Sequence, residues 1–299
     1  MPLRSNFCYH KIMNSTWQDK VRGIAVKLDG DEKRHGIVSL TTGEGQPDIV
    51  RDPYFLMNIY RVLADGKLWT IARGEPFSTD WHGDGVTLHW NPTATLPAEL
   101  RASYVVENDA TVTLRFRVRA VRDLQQFEVS VGSYFDFSYE PYAVLSLDPQ
   151  DGTHVRQPVL WKAEDQDFVR GHYIHLPRDD QGSITRMDGR WNNPETGKTI
   201  AAAVYGPEYA WPVAVMASKK QNIYVVQSTS REVCDGISIT YSSNNVKDNI
   251  RNHNATYFSL FGEDLKQGDE REAVIRQHVV NGTPTQEKIA EVLGISGGE

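Results

Sequence analysis

The clearest signal in the chain is alternation. From Thr111 to Arg119, Val112, Leu114, Phe116 and Val118 fall in one phase, and Thr111, Thr113, Arg115, Arg117 and Arg119 in the other. A period of two sends these sets to opposite faces of a β-strand. Phe127, Val129 and Val131 repeat the pattern, with Glu128, Ser130, Gly132 and Tyr134 in the polar phase. The link from Val121 to Leu124 is short, so the two runs predict an antiparallel hairpin with strands at 111–119 and 126–135. In that hairpin Arg117 would sit across from Glu128, and the polar phase would form one concave surface.

Further strands are predicted at Val86–Trp90, Ala102–Val106, Ile200–Tyr205, Val213–Ala217, Ile223–Val226, Ile237–Tyr241, Tyr257–Phe261 and Ala273–Val280. Turn residues separate them, as at Asn108-Asp109 and Gln267-Gly268-Asp269. Pro53 to Leu63 reads as either a helix or a strand pair. Near the C-terminus, Thr283 as cap, Pro284 in the first turn and Gln286 completing a capping box predict a short helix ending at Gly294. The expectation is an all-β antiparallel sandwich over 21–282, with an N-terminal extension over 1–20 and a helical tail over 283–299.

Composition narrows the partners. The net charge is −7 with no basic block, which disfavours a nucleic-acid backbone. No apolar stretch approaches the roughly 20 residues of a membrane-spanning helix. The first residues lack the apolar segment of a signal peptide, so a cytoplasmic setting is expected. Cys8 and Cys234 match no metal spacing, and two free thiols are the simplest reading. His172 and His175, near Asp179 and Asp180, fall on opposite faces of a strand, so no metal or other cofactor is expected.

Four ordered stretches then resemble the galactose mutarotase (aldose 1-epimerase) superfamily. They are Asn58-Ile59-Tyr60-Arg61-Val62 with Asp65-Gly66; Trp81-His82-Gly83-Asp84-Gly85; Pro97-Ala98-Glu99-Leu100 leading to Gly132-Ser133-Tyr134-Phe135; and Tyr224 to Tyr241 with Leu265 to Glu270. The resemblance implies a β-supersandwich with a sugar site on a concave face. It also implies that His82 binds substrate, and that the family's acid and base positions fall at Gly132 and Thr240. Neither residue can transfer a proton as histidine or glutamate would. The candidate catalytic residues are therefore His82, Asp84 and Asp136. The candidate sugar contacts are Trp81, Arg61, Arg117, Glu128, Tyr134 and His175. A sugar or glycan is the expected partner. Catalysis with a relocated acid/base pair, simple sugar binding and a purely structural role all remain open, as does the oligomeric state.

Overall fold

The computed structural model describes residues 15–19, 24–31, 34–43, 45–51, 54–70, 72–83, 85–107, 111–148, 155–163, 172–182, 202–218, 220–241 and 254–295. In chain order the strands begin with β1 (Ser15–Asp19), β2 (Ile24–Asp31), β3 (Arg34–Thr41), β4 (Asn58–Ala64), β5 (Lys67–Thr70), β6 (Ser78–His82) and β7 (Gly85–Trp90). Then come β8 (Ala98–Val106), β9 (Val112–Ala120), β10 (Leu124–Phe135), β11 (Tyr139–Leu147), β12 (Gln157–Lys162) and β13 (His172–Pro177). The last are β14 (Ala202–Tyr205), β15 (Tyr209–Ser218), β16 (Ile223–Ser228), β17 (Cys234–Thr240), β18 (Asn254–Leu265) and β19 (Glu270–Asn281).

These strands form three sheets. A small one joins β1, β2 and β3, so the expected boundary at residue 20 falls between two paired strands. A narrow sheet of seven strands runs β14-β13-β17-β18-β10-β4-β5, and a wide sheet of nine runs β12-β11-β15-β16-β19-β9-β8-β7-β6. Among the described residues only β13 and β14 pair in parallel. The chain is thus an antiparallel β-sandwich with a short C-terminal helix.

The inner faces of the two large sheets make the core. Leu114, Phe116 and Val118 of β9 and Leu100, Ala102 and Tyr104 of β8 meet Phe127, Val129 and Val131 of β10 and Phe258 and Leu260 of β18. This overturns the expected hairpin. β9 pairs with β8 and β19, whereas β10 pairs with β4 and β18. The two strands lie in different sheets and present their apolar phases to each other across the core. Phe261 shows this directly, with its ring centroid 6.3 Å from that of Phe116 and 6.2 Å from that of Phe127. The start of β10 is irregular, with Gln126 at φ 47° and register shifts on both sides of Phe127. That bulge lets the short link change sheets instead of closing a turn.

The ambiguous stretch after Pro53 resolves into β4. Phe55 and Met57 have positive φ just before it, which breaks any helix. Asp65 and Gly66, at φ 54° and 66°, form the two-residue turn into β5 that a right-twisted hairpin favours.

One polar network crosses the core. Ser133 Oγ on β10 accepts from Met57 N at 2.9 Å and from Gln227 Nε2 on β16 at 2.8 Å. Gln227 also donates to Gln277 Oε1 on β19 at 2.6 Å, and Thr256 Oγ1 on β18 donates to Gln227 Oε1 at 3.1 Å.

The C-terminal helix α1 spans Gln286–Leu293. Its cap is Thr285 rather than Thr283: Thr285 Oγ1 accepts from Lys288 N at 3.3 Å. Gln286 does not close a capping box but accepts from Leu160 N on edge strand β12 at 3.1 Å. Ile289 buries itself against Val144, Val213, Val215, Ala217, Tyr224 and Val226 on the outer face of the wide sheet. Gly294 ends the helix in the left-handed region at φ 68°.

Candidate functional site

The outer face of the narrow sheet carries a dense set of polar and aromatic side chains. Register builds it. Gly132 lies between Asn58 on β4 and Tyr257 on β18. Ser130 lies between Arg61 and Ser259, and Tyr134 is opposite Ala255. Across β18, Tyr257 is opposite Ser238 and Ala255 opposite Thr240; Ser238 is in turn opposite His175 on β13. Alternation in β10, β17 and β18 sends Val129, Val131, Phe258, Ile237 and Ile239 to the core and the polar set outward, and a register shift in β4 between Ile59 and Arg61 brings Arg61 to the same side.

The face is buried despite its polarity. Glu128, Ser130, Ser259 and His175 are fully buried, and Arg61 is 6% exposed. The large majority of such groups are hydrogen-bonded in folded proteins. Ser259 Oγ donates to Glu128 Oε1 at 2.7 Å. Arg61 Nη2 donates to Tyr60 Oη at 2.8 Å, and its guanidinium carbon lies 4.5 Å from the Tyr60 ring centre. His175 Nδ1 sits 3.0 Å from Ser238 Oγ, and its Nε2 lies 3.2 Å from the Gly182 carbonyl. Gly236 leaves room for that imidazole: a Cβ there would come within 2.3 Å of His175 Cε1.

Tyrosines cover the other end of the face. Tyr134 and Tyr257 are buried, while Tyr54, Tyr60 and Tyr173 are half-buried around them. Ring centroids lie 4.9 Å apart for Tyr54 and Tyr134, 5.6 Å for Tyr60 and Tyr257, and 5.3 Å for Tyr173 and Tyr257. Burial pushes the Tyr257 hydroxyl far above its ordinary value, and neighbouring Tyr134, Tyr173 and Tyr60 push the same way. It is a neutral phenol at any physiological pH. The Tyr257 ring also covers Gly132, where an added Cβ would meet two ring carbons at 3.1 Å.

Four of the expected site residues thus share one face: Arg61, Glu128, Tyr134 and His175. The others lie elsewhere. Trp81 and His82 are on β6, the edge strand of the wide sheet. His82 is exposed and its Nε2 lies 2.8 Å from Thr87 Oγ1, while Trp81 turns the other way and packs on the core. Asp84 falls outside the described residues. Asp136 is half-buried in the turn after β10, where its Oδ1 accepts from Ser138 N at 3.0 Å and Arg51 lies 3.8 Å away. Arg117 does not meet Glu128, nor do Arg115 and Arg117 share its surface. Both arginines project from the outer face of the wide sheet and pair with Glu272 of β19. The cause is the change of sheet between β9 and β10.

Tyr60, Tyr257, Ser238 and Ser259 belong to the face but were not among the expected site residues. Their alternation with Phe258 and Ile239 was visible; their convergence, which depends on long-range register, was not. Cys234 is free and buried, and burial pushes its thiol up to about 12, so it is inert near neutrality. Among the described residues no group of three or more His, Cys, Asp or Glu side chains is arranged to hold a metal.

No protein-family model and no curated protein matches the sequence. Solved structures do match in shape. One is a putative aldose 1-epimerase from Escherichia coli K12, with TM-score 0.53, 9% identity, and coverage of 90% of this chain and 99% of that one. A GalM/aldose epimerase homologue from C. elegans gives TM-score 0.52 at 12% identity, covering 91% and 100%. The Slr1438 protein from Synechocystis gives TM-score 0.52 at 13% identity, covering 94% and 100%. At TM-scores of 0.52–0.53 over nearly the whole of each chain, these likenesses show that the chain has the galactose mutarotase-like β-sandwich fold.

Proposed function

We propose that this chain binds a carbohydrate on the outer face of its narrow sheet and does not perform ordinary aldose 1-epimerase chemistry there. The observation that carries the proposal is the apposition of Gly132 and Tyr257. Where the family resemblance places a general acid, an aromatic ring fills the space. The half-buried rings of Tyr54, Tyr60 and Tyr173, with Arg61 beside them, supply what a sugar needs. Broad aromatic surfaces cover its C–H faces, and a few fixed polar groups take its hydroxyls.

A second reading, catalysis by a relocated acid/base pair, draws on Glu128 and His175 sharing the face. Strands β17 and β18 separate their backbones, and three strand spacings amount to about 14 Å. A general acid or base must come within about 3 Å of its proton, directly or through one water, so this pair does not flank a single anomeric centre. Binding is the better reading.

The test joins polarimetry on fresh glucose and galactose to calorimetric titration with a panel of neutral mono- and disaccharides. Mutarotation is expected at the spontaneous rate. At least one sugar is expected to bind, with Tyr60→Ala and Arg61→Ala each weakening binding tenfold or more. Protein-dependent mutarotation would overturn the chemical half of the proposal, and unchanged affinity in both variants would overturn the site.

A further inference from the structure

The wide sheet has an outer face with two unlike halves. Helix α1 covers the half formed by β11, β15 and β16. The half formed by β8, β9 and β19 is exposed and charged. Its outward positions are Glu99 and Arg101 on β8, Arg115, Arg117 and Arg119 on β9, and Glu270 and Glu272 on β19. On this face lies a shallow groove of about 440 Å³ whose lining includes Arg101, Arg117, Arg119, Glu99, Glu270 and Glu272.

The arginines are not neutralised evenly. Arg115 and Arg117 both pair with Glu272. Arg119 reaches Glu99 and Glu270 only at 4.0 Å. Arg101 is exposed and makes no ion pair or hydrogen bond with any described residue. Register places it directly opposite Arg117. Like charges in directly opposed positions destabilise a sheet. In a chain of net charge −7, an unpaired Arg101 opposed to an Arg117 that shares its one glutamate with Arg115 forms a local surplus of positive charge.

We propose that Arg101 and Arg117 form an anion subsite that takes the carboxylate of an acidic sugar chain. Opposed residues in an antiparallel pair have Cα atoms about 4.5–5.5 Å apart, so both guanidinium forks can converge on one carboxylate. Alternate outward arginines along β9 are about 6.8 Å apart, which extends the contact lengthwise. The glutamates that line the groove select against a dense polyanion and accept hydrogen bonds from hydroxyl groups. That combination fits an isolated carboxylate on a polyhydroxylated ligand, a uronate. This subsite is on the opposite side of the sandwich from the tyrosine face and does not depend on it.

The experiment titrates the full chain with a galacturonic acid trisaccharide, following backbone amide shifts by NMR at low and moderate salt. A neutral galactose trisaccharide and inorganic sulfate serve as comparisons. The expected result is uronate binding with shifts along β8 and β9 and affinity that falls as salt rises. Arg101→Gln and Arg117→Gln should each weaken it at least tenfold. The thermal midpoint of Arg101→Gln should stay level or rise, because the substitution removes a repulsive pair, and a purely structural Arg101 would instead lower it. No uronate binding, unchanged affinity in Arg101→Gln, or equal affinity for sulfate would each overturn the proposal.

Discussion

The outer faces of the two large sheets read alike in sequence and differ in structure. Glu128, Ser130 and Tyr134 alternate with apolar neighbours on β10 just as Arg115, Arg117 and Arg119 do on β9. Yet Glu128 is fully buried, and Arg117 keeps 55% of its side chain exposed. Alternation identifies which side of a strand is polar, but not whether that side meets water. The same ionic chemistry then has different consequences: a buried carboxylate must be hydrogen-bonded, while an exposed ion pair contributes little.

The sharpest break of this comparison is Gly236→Ala. The added Cβ would collide with the His175 imidazole, itself wedged against Ser238 and Gly182. Overpacking of this kind should remove about 3 kcal/mol, measured as a lower urea midpoint. An unchanged midpoint would mean that this face is not packed. Next comes Glu128→Ala, which strips the buried Ser259 hydroxyl of its acceptor. A loss of about 2 kcal/mol is expected by the same assay.

Glu272→Gln should have the smallest effect, below about 1 kcal/mol, because its partners Arg115 and Arg117 are largely exposed. Its size depends on pH. Partial burial tends to raise the Glu272 carboxyl, but Arg117 and Arg115 outweigh it and hold it below the ordinary glutamate value. The stabilisation is therefore complete above that ordinary value and disappears as pH falls through the depressed one. Wild type and Glu272→Gln should differ slightly at pH 7 and converge in acid. A large difference at neutral pH would show that the wide-sheet face behaves like a buried one.

The sequence made individual strands legible because alternation is local. β9, β17 and β19 lie close to where Thr111–Arg119, Ile237–Tyr241 and Ala273–Val280 suggested. Pairing was less legible. Two alternating runs with a short link look the same whether they close a hairpin or face each other across a core, and only the bulge at Gln126 separates the cases. The site was half legible for the same reason. Resemblance pointed to Arg61 and phase to Glu128 and Tyr134, and the structure sets these with His175 on one face. Tyr257 stands 125 positions from Gly132, and only register brings its ring over that glycine. The helix cap moved from Thr283 to Thr285 because Gln286 is engaged by edge strand β12, a contact invisible to local pattern.

The amide network between the sheets works as an alignment key. Purely apolar faces slide past one another at modest cost, since a displaced methyl group soon finds another hollow. Gln227 does not allow this. Its amide binds Ser133 and Thr256 on the narrow sheet and Gln277 on its own sheet. A slip of one residue, about 3.4 Å, would break the two contacts that reach across and leave buried donors and acceptors unmatched. The penalty is steep and discrete, so the sandwich has one registration in place of a continuum. Because Ser133 sits between Gly132 and Tyr134, the alignment key and the tyrosine face occupy the same stretch of β10, and the position of one sheet on the other is fixed where the candidate site needs it most.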